Sequence, residues 1–311
     1  MPKWCTPKFN RWVSPSTSQT PHRECGKFLG SNYHQVFNFE GTNFFVASRT
    51  NYLRYFDVVT SQTTVHNFHE RIINITPFQI TKDDPDYNMA IVTLESGVRL
   101  RAIFHLTGVT HFKLPGQVGI SYCPGLYDDK NVVYCLQQKH IEVIAPWGEI
   151  LASKELPGFL QDQNSTCQLR YINEDELEFK WGFDKFIAVF DPKTLNVVKR
   201  EQYSTNFLDV IDGQVLFQSD YQHLAFRVTP GNDGDVEYIK LEVGGHIKKA
   251  ELKNNNNYAI VACGNALRFV DLQTAHQDRC VRVSGGVTDW AVSDLHLVVA
   301  HGDGLNIFFI E

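Results

Sequence analysis

The chain lacks the long apolar runs of a membrane or secreted protein. None of its 311 residues falls in an apolar stretch of 18 or more, the length expected of a transmembrane helix. The opening residues, MPKWCTPKFNRWV, are interrupted by charged and polar side chains, unlike the apolar core of a signal peptide. These absences predict an intracellular protein, cytoplasmic or nuclear, with no membrane partner.

Cysteine does not occur in the patterns of a disulfide framework or a zinc site. The seven cysteines are odd in number, and no CxxC pair occurs. Disulfide-stabilised domains use even numbers of cysteines in oxidising compartments. The thiols are therefore predicted to be free, in agreement with an intracellular location.

The motifs of common catalytic and cofactor sites are also absent. No GxSxG, P-loop or dinucleotide fingerprint occurs. His66 and His69 come closest to a metal pair, but residues three apart on a strand point to opposite faces, and no further ligands follow at zinc spacing. Acidic pairs such as Asp83-Asp84 and Asp128-Asp129 lie in predicted loops, whereas a glycosidase needs two carboxylates facing each other across a pocket. The sequence predicts no catalytic residue, cofactor or metal.

Aromatic residues are abundant, and charge is unevenly distributed. The 22 Phe and 12 Tyr favour strands, because flat rings pack well on a pleated surface. Residues 1–30 carry a net charge of +4 and the remainder −10, which together give the overall −6. An acidic body argues against direct contact with nucleic-acid phosphates.

A repeat runs through the chain with an average period of 42 residues. Each unit contains an apolar strand, a tight turn with Gly, Asn, Asp or Ser, and a second strand, as hairpins require. This period is typical of four-stranded propeller blades. The predicted fold is all-β, a seven-bladed β-propeller. The strands after the turn, predicted to be the third of each four-stranded blade, are LRYFD (53–57), RAIFH (101–105), IEVIA (141–145), IAVFD (187–191), AFRVT (225–229), LRFVD (267–271) and LNIFF (305–309).

The seventh unit lacks an outer strand, since the sequence stops after its third. Residues 8–13, KFNRWV, form a strand-like stretch ahead of a linker rich in Pro, Ser and Thr. An unpaired edge is a liability that a ring must cover. Residues 8–13 are therefore predicted to close the ring. This divides the chain into a basic N-terminal arm with the closing strand, 1–30, and the propeller, 31–311.

The repeat resembles that of the WD40 family over residues 31–311. Phe56-Asp57, Phe190-Asp191 and Val270-Asp271 stand where the family has Trp-Asp, at the end of the third strand, and no unit has Trp-Asp itself. The resemblance implies a propeller and a broad role as a protein-binding platform. It points to no particular subfamily.

The expected function is that of a non-catalytic interaction scaffold within a larger intracellular complex. Its partners would be other proteins, bound on the loop faces of the propeller. Two alternatives remain open: a propeller hydrolase or lyase with a site in the central channel, and a subunit of an RNA-associated complex.

Four residues are candidates for partner binding: Phe159 and Leu160 in the connection 157–165, and Trp4 and Trp12 in the basic arm. An apolar tip on a polar loop can anchor a partner. The structural alternatives are that Phe159 folds back over its blade and that the tryptophans pack where the ring closes.

Overall fold

The computed structural model describes residues 9–13, 23–29, 33–39, 42, 44–79, 88–105, 108–114, 121–145, 147–161, 167–181, 186–202, 207–211, 214–220, 223–228, 237–242, 246–253, 258–272, 276–293 and 295–309. Regular structure in these residues is almost entirely β, apart from one 3-10 turn, Gly158–Leu160. Across these same ranges, no helix has the length and apolar character needed to span a bilayer.

The described strands are numbered β1 to β29 in chain order. They are β1 Phe9–Val13, β2 Arg23–Leu29, β3 Tyr33–Asn38, β4 Phe44–Arg49, β5 Tyr52–Asp57, β6 Thr63–Asn67, β7 Ile72–Gln79, β8 Asn88–Leu94, β9 Arg99–His105, β10 Gly108–Lys113, β11 Ser121–Tyr127, β12 Lys130–Leu136, β13 His140–Ile144, β14 Ile150–Glu155, β15 Cys167–Asn173, β16 Glu176–Trp181, β17 Phe186–Phe190, β18 Val197–Gln202, β19 Phe207–Ile211, β20 Gln214–Asp220, β21 His223–Val228, β22 Glu237–Glu242, β23 Ile247–Lys253, β24 Tyr258–Cys263, β25 Ala266–Asp271, β26 His276–Arg282, β27 Val287–Val292, β28 His296–His301 and β29 Gly304–Phe309.

The strands form six four-stranded sheets and one five-stranded sheet, each built on an antiparallel up-and-down meander. The four-stranded sheets are β3–β6, β7–β10, β11–β14, β15–β18, β23–β26, and β27–β29 with β2; the five-stranded sheet is β19–β22 with β1. The first strands of neighbouring sheets, such as β27 and β3 or β11 and β15, contact each other. The first strands therefore lie on the inside of the arrangement and the fourth strands on the outside.

The predicted fold class, a seven-bladed β-propeller closed by residues 8–13, requires correction. Only six sheets have four strands, because β1 adds to a different sheet: it pairs in parallel with β22, from Phe9 opposite Tyr238 to Val13 opposite Leu241. The segment beside β29 is instead β2, antiparallel, from Arg23 opposite Phe309 to Leu29 opposite Gly304. Closure by residues 8–13 is therefore wrong. The prediction considered only residues 8–13 as a closing strand, whereas an edge strand can pair through its main chain with any segment that forms a strand.

The hydrophobic core is divided into layers between neighbouring sheets. One layer packs the third sheet against the fourth, with Val143 and Phe179 fully buried. Another joins the last sheet to the first, where Val298 and Leu305 meet Phe45. Because both faces of these sheets are covered, their inner strands are apolar on both sides, which explains the continuous apolar runs in the sequence.

The aspartates that end the WD40-like runs hold the turns that follow them. Asp57 Oδ1 accepts hydrogen bonds from the backbone N–H groups of Val59, at 2.8 Å, and Thr60, at 3.2 Å. Asp191 Oδ1 makes the same pair with Lys193 and Thr194. A short acidic side chain that bonds the backbone two and three residues on stabilises a tight turn. The aspartate thus has a local role without a neighbouring tryptophan.

Candidate functional site

The meander topology gives the molecule two distinct ends. Turns from first to second and from third to fourth strands lie at one end, called the turn face. Turns from second to third strands, and the connections between sheets, lie at the other, called the connection face. Side chains at the starts of first strands therefore lie at the connection face.

Five first strands carry a β-bulge at their second residue, which lies unpaired between two registered neighbours. In β3, for example, Tyr33 pairs with Arg49 and Gln35 with Ser48, leaving His34 between them. Bulges re-aim side chains and are frequent beside functional sites. The bulge residues are His34, Ile73, Leu208, Lys248 and Thr288.

The residue after a bulge can tie one first strand to the next. Asp289 Oδ2 accepts a hydrogen bond from Val36 N at 2.9 Å. Gln35 Oε1 accepts one from Ile75 N at 2.9 Å, and its Nε2 donates to Ile75 O at 2.6 Å. An edge strand leaves backbone groups unpaired, and these side chains satisfy them from the neighbouring sheet. The polar residues just after the bulges in β3 and β27 are therefore structural.

Asp289 also pairs with a lysine of the preceding sheet. Lys249 Nζ lies 2.7 Å from Asp289 Oδ1 and 2.8 Å from Glu251 Oε1. It also lies 4.5 Å from the centre of the Trp290 ring. Burial disfavours the ammonium charge, but the two carboxylates outweigh it and raise the pKa of Lys249. Burial raises the pKa of Asp289, although Lys249 and the Val36 N–H act against that rise. The pair links two sheets.

The bulges leave other side chains open to solvent. His34, Lys248 and Thr288 are exposed, and Ile73 is 51% exposed. The structure describes the backbone of the fifth bulge residue, Leu208, but not its side chain.

Ile73 belongs to a set of exposed apolar residues on the connection face. Tyr52 is 43% exposed and Leu29 is 76% exposed. The turn before Tyr52 reaches the strand of Ile73 through a 2.7 Å bond from Ile72 N to Thr50 O, and Leu29 pairs with Gly304 in the last sheet. Leu29, Tyr52 and Ile73 are called the rim group. Exposed apolar residues beside polar ones are typical of a docking surface.

The structure separates the two candidates in the 157–165 connection. Leu160 has no exposed surface and packs in the core between the third and fourth sheets. It therefore cannot contact a partner. Phe159 is 41% exposed, and the Arg200 guanidinium lies 4.5 Å from its ring centre, so its ring lies over the fourth sheet.

The two tryptophan candidates remain predictions. Trp4 lies outside the described residues. Trp12 lies in β1, where the backbone is described and the side chain is not.

We expect Leu160→Ala to lower the free energy of unfolding by about 2–5 kcal/mol, because it leaves a cavity in a closed core. Phe159→Ala removes a half-exposed ring and should cost about 1 kcal/mol or less. Urea unfolding at neutral pH measures both. Equal losses for the two variants would contradict this assignment.

Of the two histidines considered as a metal pair, His66 and His69, His66 lies in an aromatic cluster with His111. The ring centres of His66 and His111 are 5.2 Å apart, and Phe68 packs against both. Burial of the His66 ring, followed by the charges of His111 and His69, lowers the pKa of His66. Among the residues that the structure describes, no group of three or more His, Cys, Asp or Glu is placed to hold a metal ion.

Two acidic loops meet on the turn face. Asp128, Asp129 and Glu174 line a cavity of about 100 Å³ together with Leu126 and Lys193. Asp83-Asp84 lies outside the described residues. The tertiary structure thus brings together carboxylates that the sequence placed in separate loops.

Sequence reasoning missed the bulge positions, although a signal for them exists. Each bulge lies in a four-residue pattern of apolar, variable, polar and apolar residues. The patterns are Tyr33-His34-Gln35-Val36, Ile72-Ile73-Asn74-Ile75, Phe207-Leu208-Asp209-Val210, Ile247-Lys248-Lys249-Ala250 and Val287-Thr288-Asp289-Trp290. The variable position is the one that reaches solvent in the bulges whose side chains are described.

Comparison with known proteins supports the fold. No family model matches the chain, and no curated protein matches it. Among solved structures, the β-propeller domain of Cps50 (Swd1) from Myceliophteria thermophila is similar, with a TM-score of 0.64 and 9% sequence identity over 94% of this chain and 100% of that chain. This likeness confirms a β-propeller fold and assigns no family or subfamily.

Proposed function

We propose that this protein is a non-catalytic interaction scaffold, a subunit of a larger assembly, and that partner proteins dock on the connection face. The observation that carries the proposal is the exposure of the rim group, Leu29, Tyr52 and Ile73, beside polar bulge residues. Tyrosine is enriched among residues that dominate binding energy. Rigid strands hold these side chains, so docking need not order a loop.

The polar residues of the inner strands make structural hydrogen bonds, which favours a scaffold over a hydrolase or lyase with a site in the central channel. Gln35 and Asp289 are held by backbone groups of neighbouring sheets. A general acid or base must be free to reach a substrate. These two side chains instead hold the sheets together.

The cellular setting is part of the proposal. Cys123, Cys135, Cys263 and Cys280 are buried free thiols, as expected in a reducing compartment. We propose that the protein acts in the cytoplasm or nucleus, without a membrane partner and without direct contact to nucleic acid, and its net charge of −6 supports the last point.

A matched pair of variants tests the docking face. Ile73→Asp should remove the stoichiometric partners that co-purify with the tagged full-length protein from its native cells, because a charge replaces an apolar contact. Val198→Asp is the control, since Val198 is 61% exposed but lies on an outer strand. Quantitative mass spectrometry measures partner loss. Equal retention by both variants would place docking elsewhere.

A further inference from the structure

The two faces of the molecule differ in charge among the described residues. On the turn face, exposed carboxylates outnumber exposed lysines: Asp128, Asp129, Glu149, Glu174, Asp175 and Glu176 against Lys130 and Lys193. On the connection face, exposed cations outnumber exposed carboxylates: Arg71, Lys113, Lys139, Lys248 and Arg282 against Glu95, Glu155 and Asp303. Among the side chains that the structure describes, those of the connection face are therefore the more basic.

The rim group lies along an arc of successive sheets on the connection face. Two of these cations lie at one end of that arc. Lys248 and Arg282 belong to the sheet β23–β26, and Leu29 to the sheet that follows it. Tyr52 and Ile73 belong to the next two sheets, β3–β6 and β7–β10. Across these four successive sheets Lys248 and Arg282 come first and the rim group follows, and Arg71 and Lys113 lie at the sheet of Ile73.

The bulge in β23 separates the roles of two adjacent lysines. Lys249 faces Asp289 and Glu251, while Lys248, the bulge residue, is exposed. The Lys248 ammonium lies over Gly286, so close that a side-chain Cβ on that glycine would be 2.8 Å from Nζ. The bulge therefore turns one lysine into the structure and the other towards solvent.

We infer that the connection face binds an extended acidic segment of a partner protein that carries at least one large apolar side chain. The apolar side chain packs on the rim group, and the acidic residues lie against Lys248 and Arg282. Charge complementarity steers such a segment to this face and away from the acidic turn face. The inference rests on the proposed function and adds the chemistry of the partner. A protein segment fits better than a nucleic acid, because three exposed apolar residues lie along the arc and the whole chain is acidic.

A peptide selection on the full-length protein tests this chemistry. A random 12-residue library is selected on the immobilised protein, and enriched peptides are synthesised with a fluorescent label. Fluorescence anisotropy then measures their affinity for the wild type and for variants in 50 mM and 300 mM salt. A labelled 20-nucleotide single-stranded RNA is measured alongside as the alternative probe.

The expected peptides combine acidic residues with a large apolar residue. Ile73→Ser should weaken peptide binding about tenfold or more, because it removes the apolar surface on which the large side chain of the peptide packs. The double variant Lys248→Glu with Arg282→Glu should weaken them about tenfold, and binding to the wild type should weaken as salt rises. Val198→Ser and Lys193→Glu are the controls and should bind as the wild type does. Thermal unfolding establishes that each variant is folded.

Different failures have different meanings. Basic or neutral peptides that still require Ile73 would overturn the acidic partner and leave the docking face standing. The docking face would also be overturned if the enriched peptides bound the Ile73 variant and the Lys248 and Arg282 variant as tightly as the wild type, or if no peptide was enriched at all. RNA bound more tightly than any peptide, and lost in the Lys248 and Arg282 variant, would show that this face binds nucleic acid instead.

Discussion

Replacing Asp289 by alanine is expected to lower the free energy of unfolding by about 2–4 kcal/mol. The carboxylate is almost wholly buried and serves two partners, Lys249 Nζ at 2.7 Å and Val36 N at 2.9 Å. Its loss leaves the Val36 N–H of β3 without an acceptor. It also leaves Lys249 with one neighbouring carboxylate, that of Glu251, instead of two. The cost stays below that of breaking a fully buried pair, because the Lys249 side chain is 40% exposed and keeps Glu251.

Asp289→Asn separates the two contributions. The amide retains an oxygen that can accept from Val36 N, but it carries no charge, so its cost should be clearly smaller than that of alanine. Asp303→Ala, at an exposed aspartate of the same sheet, is the control and should change stability by about 0.5 kcal/mol or less. Urea unfolding at pH 7 measures all three variants. An Asp289→Ala protein as stable as the control would show that this junction between sheets does not depend on the aspartate.

Gly304→Ala should destabilise the pairing of β2 with β29 by about 3 kcal/mol or more, at the upper end of what overpacking costs. A Cβ on Gly304 would collide with the carbonyl oxygen of Phe28 in the neighbouring strand. Because both atoms that collide belong to backbone or Cβ, no side-chain rotation relieves the clash. The two strands must separate instead. Because β2 is the outer strand of its sheet, it is the strand expected to detach.

Gly302→Ala is the matched control, since a Cβ there meets nothing within 4 Å. Melting temperature gives the global effect, and hydrogen exchange of residues 23–29 gives the local one. Gly304→Ala should accelerate that exchange, whereas Gly302→Ala should not. Identical exchange in the two variants would mean that β2 does not depend on this close approach.

Much of the fold follows from local pattern in the sequence. A strand of four or five apolar residues, a turn and a second strand recur at a regular spacing, and short-range hydrogen bonding is enough to set such a meander. The turn residues Asp57 and Asp191 act within three residues of themselves, so their role can be read from the chain alone. The acidic character of the body and the absence of catalytic motifs are likewise properties of composition and order.

The assignment of the N-terminal strands was decided by tertiary structure. Residues 9–13 and 23–29 both have strand-like sequences, and main-chain pairing carries little sequence information. The path of the chain and the fit of Phe28 against Gly304 place β2 beside β29, while β1 pairs with β22.

Phe159 and Leu160 are neighbours in one 3-10 turn, and the sequence alone does not determine which of them is buried. Adjacent residues on a 3-10 turn point about 120° apart, so one can face the core while the other faces solvent. Their order is set by the neighbouring sheets, which bury Leu160 and leave Phe159 partly open. The candidate docking face also depends on tertiary structure. Asp289 and Val36 are 253 residues apart in the sequence. Their strands, and the rim group beside them, come to one surface because the last sheet packs against the first.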